Sequence, residues 1–136
     1  MIRFVTFVML MFASSTAYAN MKVVEVLDGD SIRITAPFLP PELGKTLILR
    51  VRGVDTPEKG RRAKCSAERV KSHEALRFTK EFIKSGKPEI ILFKWDKYGG
   101  RVIGDISINA KYLSEELLRN NLAREYSGGT KNSWCF

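Results

Sequence analysis

The stretch from Thr46 to Glu58, Thr-Leu-Ile-Leu-Arg-Val-Arg-Gly-Val-Asp-Thr-Pro-Glu, constrains this chain more than any other. Thr46 to Val54 has the apolar, β-branched character of a buried strand, yet it carries Arg50 and Arg52. Pro57 has no amide hydrogen for a ladder, so the strand must stop in the Asp55-Thr56-Pro57-Glu58 corner. Two carboxylates, Asp55 and Glu58, therefore stand at a strand end close to two fixed cations. Carboxylates beside guanidinium groups can hold a hard metal ion and a phosphate together. The corner is thus the core of a candidate site for phosphodiester chemistry. Strict period-two alternation places Arg50 and Asp55 on opposite faces. The site therefore requires a bend, which Gly53 permits.

The rest of the chain reads as short strands with two helices. Met21 to Leu27 is β-branched, Ser31 to Thr35 alternates with period two, and Asp28-Gly29-Asp30 between them is a hairpin signal. Ala36 to Gly44, with three prolines, is a loop, and Thr46 to Val54 is the third strand. Lys59 to Lys64 is a basic surface loop. Ser66 to Ser85 is the main helix, with Ala67, Val70, Ala75, Phe78 and Phe82 on one broad arc. Gly86 ends it and Pro88 prevents its return. Glu89 to Trp95 and Arg101 to Ile108 are strands around the turn Asp96 to Gly100, and Asn109-Ala110 turns the chain again. Ser114 is placed to cap a second helix, acidic in its first turn and running to about Ala123. Three strands, a helix, two strands and a helix predict an α+β fold: a five-stranded Greek-key barrel of the OB type.

The first residues are of a different kind. Arg3, the apolar run Phe4 to Phe12 and Ala17-Tyr18-Ala19 have the layout of a cleaved leader over residues 1–19. That run is shorter than the roughly 20 residues of a spanning helix, so stable membrane insertion is not expected. The reading is an exported domain over residues 20–136, periplasmic or extracellular and monomeric. The whole chain carries a formal charge of +8. Losing Arg3 and no acid leaves +7, an excess that favours polyanionic partners such as nucleic acid or anionic membrane. Export also makes a Cys65–Cys135 bridge the expected fate of the two cysteines. Closing so long a loop contributes roughly 4 kcal/mol in the chain-entropy picture.

Which side chains can do chemistry follows from what is absent. His73 is the single histidine and sits mid-helix among charges, so base work falls to a carboxylate, for which Glu58 is the candidate. Asp30 leaving the hairpin and Asp55 ending the neighbouring strand can supply oxygens to one hard cation. No Cys/His cluster suits zinc. Arg50 is the fitting partner for a phosphate that gains charge in its transition state. Lys97, Tyr98 and Arg101 would bring cations and a ring to the rim, a mixture suited to phosphate clamping and base stacking.

Together these residues resemble the staphylococcal nuclease (thermonuclease) family. The likeness rests on Asp28-Gly29-Asp30-Ser31, Arg50 to Glu58, Asp96 to Arg101 and Leu118 to Ala123. It implies that Asp30, Asp55 and the Thr56 carbonyl bind calcium and that Glu58 activates a water. It also implies that Arg50 and Arg101 hold the phosphate, with Lys97 and Tyr98 on the neighbouring one. The implied reaction cuts DNA and RNA to leave 3′-phosphate ends. The chain departs from the family pattern at Gly99-Gly100, two glycines before Arg101 instead of one, and at Ser31 in place of threonine. It also ends soon after the second helix, without a long third helix and its stacking tyrosines, Tyr126 being the one counterpart. The rival expectations are a catalytically silent OB-fold module that grips nucleic acid, and a basic envelope-associated domain.

Overall fold

The computed structural model describes residues 20–135, so the leader expected at 1–19 lies outside the described residues. In chain order the elements are β1 (Val23–Asp28), β2 (Ser31–Thr35), β3 (Thr46–Val51), the two-residue β4 (Val54–Asp55), α1 (Ser66–Lys84), β5 (Glu89–Trp95), β6 (Arg101–Ile108), β7 (Lys111–Tyr112), α2 (Leu113–Arg119) and β8 (Arg124–Glu125). Single 3-10 turns lie at Pro41–Leu43 and Gly60–Arg62. The main sheet runs β1-β2-β3-β6-β5, all neighbours antiparallel except β3 with β6. The expected mixed α+β, OB-like architecture is therefore present. Closure is the correction: among the described residues no ladder joins β1 to β5, so the barrel is open along that seam.

Alternation decides which face carries the core. Leu47, Leu49 and Val51 of β3 are buried with Ile32 and Ile34 of β2 and Val102 and Ile106 of β6. Ile48 and Arg50, one residue out of phase, face the other way. The parallel register sets Ile48 beside Arg101 and Arg50 beside Ile103, so both arginines stand on the outer face of the sheet.

The strand expected to run unbroken to Val54 stops at Val51. Arg52 and Gly53 make a turn with Gly53 at φ 73, a conformation cheap only for glycine. The chain then re-enters extended structure as β4, paired with β8 instead of the main sheet. This is the bend that the corner required.

Both helices depart from their sequence reading. The buried stripe of α1 is Glu68, Ser72, Ala75 and Thr79, whereas Ala67 and Val70 are exposed and Phe78 and Phe82 half-buried. The reason is close approach. A Cβ on Gly29 would lie 2.8 Å from that of Ala75, and the Thr79 hydroxyl donates to the Gly29 carbonyl at 2.6 Å. A helix pressed against the β1–β2 turn needs small and hydrogen-bonding residues there, and large apolar ones would not fit. Its N-cap is Cys65, whose sulfur accepts from the Glu68 amide. Ser114 does not cap α2, whose N-cap is Tyr112 and whose last residue is Arg119, short of Ala123. Instead buried Asp105 accepts from the Ser114 amide at 3.2 Å and from its hydroxyl, a cap supplied from β6.

Candidate active site

Asp30 leaves the β1–β2 turn, Arg50 sits near the end of β3 and Asp55 ends β4. The three meet. One guanidinium nitrogen of Arg50 pairs with Asp30, and the other lies 3.3 Å from Asp55 and 3.3 Å from the Val54 carbonyl. Both carboxylates are deeply buried, Asp30 at 3% and Asp55 at 5% exposure. Burial opposes the Arg50 charge, and the two aspartates outweigh that, holding its pKa above the ordinary arginine value. The Thr56 amide donates to Asp30 at 2.9 Å, which locks the corner to the hairpin. Arg50, expected as the partner of a phosphate, here bridges the two aspartates expected to share a cation.

Glu58 follows on the wall of the same cleft, its side chain 32% exposed. It touches neither Asp30 nor Arg50; its partners are Arg62 at 3.3 Å and Lys131 at 3.5 Å. Opposite charges alternate through the site: Asp28 to Arg62 at 3.7 Å, Arg62 to Glu58, Glu58 to Lys131, Lys131 to Asp55 at 2.9 Å, then Arg50 and Asp30. Arg52 does not join this series. It lies beyond the end of β3 and stacks 3.9 Å over the exposed Phe93 ring.

Arg101, Lys97 and Tyr98 form a separate group that lines the same cleft of about 770 Å³ as Asp30, Arg50 and Glu58. The Arg101 guanidinium sits 5.1 Å over the Tyr98 ring, with its Nε 3.2 Å from Asp96 but not aligned for a hydrogen bond. Lys97 lies over the same ring at 5.2 Å. The structure thus brings Asp30, Arg50 and Asp55 into contact and Glu58 alongside them. Arg101, Lys97 and Tyr98 line the same cleft as a group of their own.

Two further residues belong to the site and escaped the sequence reading. Glu68, buried on α1, accepts from the Glu58 amide at 3.1 Å and from the Lys64 amide at 2.7 Å, which fixes the loop that carries Glu58. Its position three residues after the cap is the acidic position of a capping box, the one signal that could have found it. Lys131 comes from the tail, and nothing local in Gly-Gly-Thr-Lys-Asn marks it as a site residue. The tail is held by the expected Cys65–Cys135 disulfide. It is also held by the Tyr126 amide on the Gly53 carbonyl at 2.9 Å and by Arg124, which stacks 4.0 Å over Trp134 and donates to the Ser133 carbonyl.

Hard oxygen donors on a buried corner fit a calcium-type ion: two carboxylates that a cation, Arg50, already draws to one point. Among the described residues Cys65, Glu68 and Cys135 also cluster with ligand atoms within 4.8 Å of one another. That cluster does not suit a metal, because its sulfurs are joined in the disulfide and its carboxylate is taken by backbone amides.

The fold and site together are those of an α+β, OB-like domain: an open sheet with two helices and an acid–guanidinium corner beside a basic cleft. The family model for staphylococcal nuclease homologues matches residues 48–133, and the chain belongs to that family. No curated protein matches the chain. Among the described residues no helix is long and apolar enough to cross a membrane.

Proposed function

We propose that the protein is an exported, calcium-dependent endonuclease that hydrolyses phosphodiester bonds of DNA and RNA and leaves 3′-phosphate ends. Its nuclease domain would occupy residues 20–136 behind a leader at 1–19. The observation that carries this reading is the corner itself, with Asp30 and Asp55 gathered on Arg50 and Glu58, paired with Arg62 and Lys131, on the adjoining wall. Membership of the family supports it, as do the basic cleft and the disulfide, which fits an oxidising compartment.

Asp30, Asp55 and the Thr56 carbonyl would hold calcium, which when bound supplies charge that polarises the phosphate and lowers the pKa of water. Glu58 accepts the proton of the attacking water, and the Glu68 contact to its amide keeps its loop in place. Arg50 stabilises the charge that develops on the phosphoryl oxygens as the bond to the 5′-oxygen breaks. Arg101, on the same outer face of the sheet, serves the same charge, and Lys97 and Tyr98 receive the neighbouring nucleotide.

The test incubates the oxidised protein with single-stranded DNA, first with calcium and then with EDTA. Cleavage that needs calcium and disappears in Glu58→Ala supports the reading. Retained binding without cleavage selects the silent module, and neither binding nor cleavage selects the envelope-associated domain.

A further inference from the structure

The tail contact has a chemical consequence of its own. Lys131, which lines the cleft with Glu58, places its ammonium 3.5 Å from Glu58 and 2.9 Å from the buried Asp55. A lysine ammonium keeps its charge across the ordinary pH range, so Lys131 is a cation there. It is also a tethered one: Cys135, four residues on, is bonded to Cys65 at the start of α1, and Tyr126 on its other side is bonded to Gly53 and lies 5.4 Å under the ammonium. With both flanks fixed, the ammonium meets Asp55 at a high effective concentration.

A carboxylate oxygen held by an ammonium is less available to a divalent ion. We propose that Lys131 is an affinity-determining residue of the ion site, a counter-cation held in place by the Cys65–Cys135 bridge that competes with calcium for Asp55. This rests on the reading of Asp30 and Asp55 as the ion's ligands. It gives the disulfide a role in the site that is separate from stability.

The experiment is calcium binding by isothermal titration calorimetry, with no substrate present, on the oxidised protein and four variants: Lys131→Met, Lys131→Arg, Cys65→Ser/Cys135→Ser, and that pair combined with Lys131→Met. Deleting a unit charge this close to the ligand should tighten calcium binding about tenfold or more, after allowing for the partial exposure of Lys131. Arginine should restore the wild-type affinity. The disulfide-free protein should bind as Lys131→Met does, and adding Lys131→Met to it should change nothing further. Equal or weaker calcium binding by Lys131→Met overturns the proposal alone. Tighter binding by Lys131→Met with no effect of the cysteine pair overturns the tether. Absence of calcium binding in every protein, each confirmed folded by circular dichroism, overturns the metal reading and this proposal with it.

Discussion

The two walls that meet at Asp55 are built in opposite ways. In the corner two buried aspartates meet a half-buried Arg50; strand register places Arg50 and Asp55, and the Thr56 amide holds Asp30. The tail from Tyr126 to Cys135 has no regular structure and is mostly exposed. It is positioned by a disulfide, a stacked arginine and one charged contact to the acids. Both deliver a cation to the same carboxylate, Arg50 from one side and Lys131 from the other. A half-buried guanidinium between two buried acids is structural as well as chemical, because removing it strands charge in low dielectric. An exposed ammonium on a tether can come and go at little cost.

The largest effect should come from the chemistry at the junction. Glu58→Gln keeps the shape of the wall and removes the proposed base, so single-turnover cleavage at saturating calcium should fall by about 10²–10⁴; an unchanged rate would remove Glu58 from the reaction. Next, Arg50→Met leaves two buried carboxylates without their common partner. Urea unfolding without calcium should show a loss of about 3 kcal/mol, partly recovered when calcium is added. A loss no larger than that of an average surface substitution would make the corner no different from the tail.

Removing the bridge with Cys65→Ser/Cys135→Ser should cost about 2–4 kcal/mol, with serine still able to cap α1. Hydrogen exchange should speed up along 126–135 while the Thr56 amide stays protected. Equal acceleration at both would show that the walls are not independent. The smallest effect belongs to Lys131→Met, about 0.5 kcal/mol once solvent screening is allowed for. Because its pKa is raised in the folded protein, the Lys131 contribution is complete below the unfolded value of 10.5 and lost as pH climbs through the higher folded one. Between about pH 6 and 9 the wild-type minus variant stability should therefore stay constant.

Much of the corner was readable because its parts are local. Pro57 had to stop a ladder, and Asp55 and Glu58 stood three residues apart beside it. Gly53 marked the one bend that could turn Arg50 toward Asp55, and it does, at positive φ. The main helix was placed by Gly86 and Pro88, yet its face was read only in part: Ala75, Phe78 and Phe82 pack against the core, while Ala67 and Val70 are exposed. Hydrophobic periodicity assumes that an apolar side packs inward along its whole length, whereas where α1 meets Gly29 only the small Ala75 and the hydrogen-bonding Thr79 fit. The cap of α2 was misread for a related reason, since Asp105 reaches it from another strand.

Sequence alone thus determined what is set by a few neighbouring residues: where strands end, where the chain bends, and which acids stand at a turn. These are steric and hydrogen-bonding limits on the backbone, and they act within one or two turns of chain. Tertiary structure decided what depends on separate segments meeting. Arg50 spans Asp30 and Asp55, Glu68 steadies Glu58, and Lys131 reaches Asp55 across most of the domain. Electrostatic contacts of that kind depend on distance in space, and no local pattern encodes a distance that only folding and a disulfide bring about.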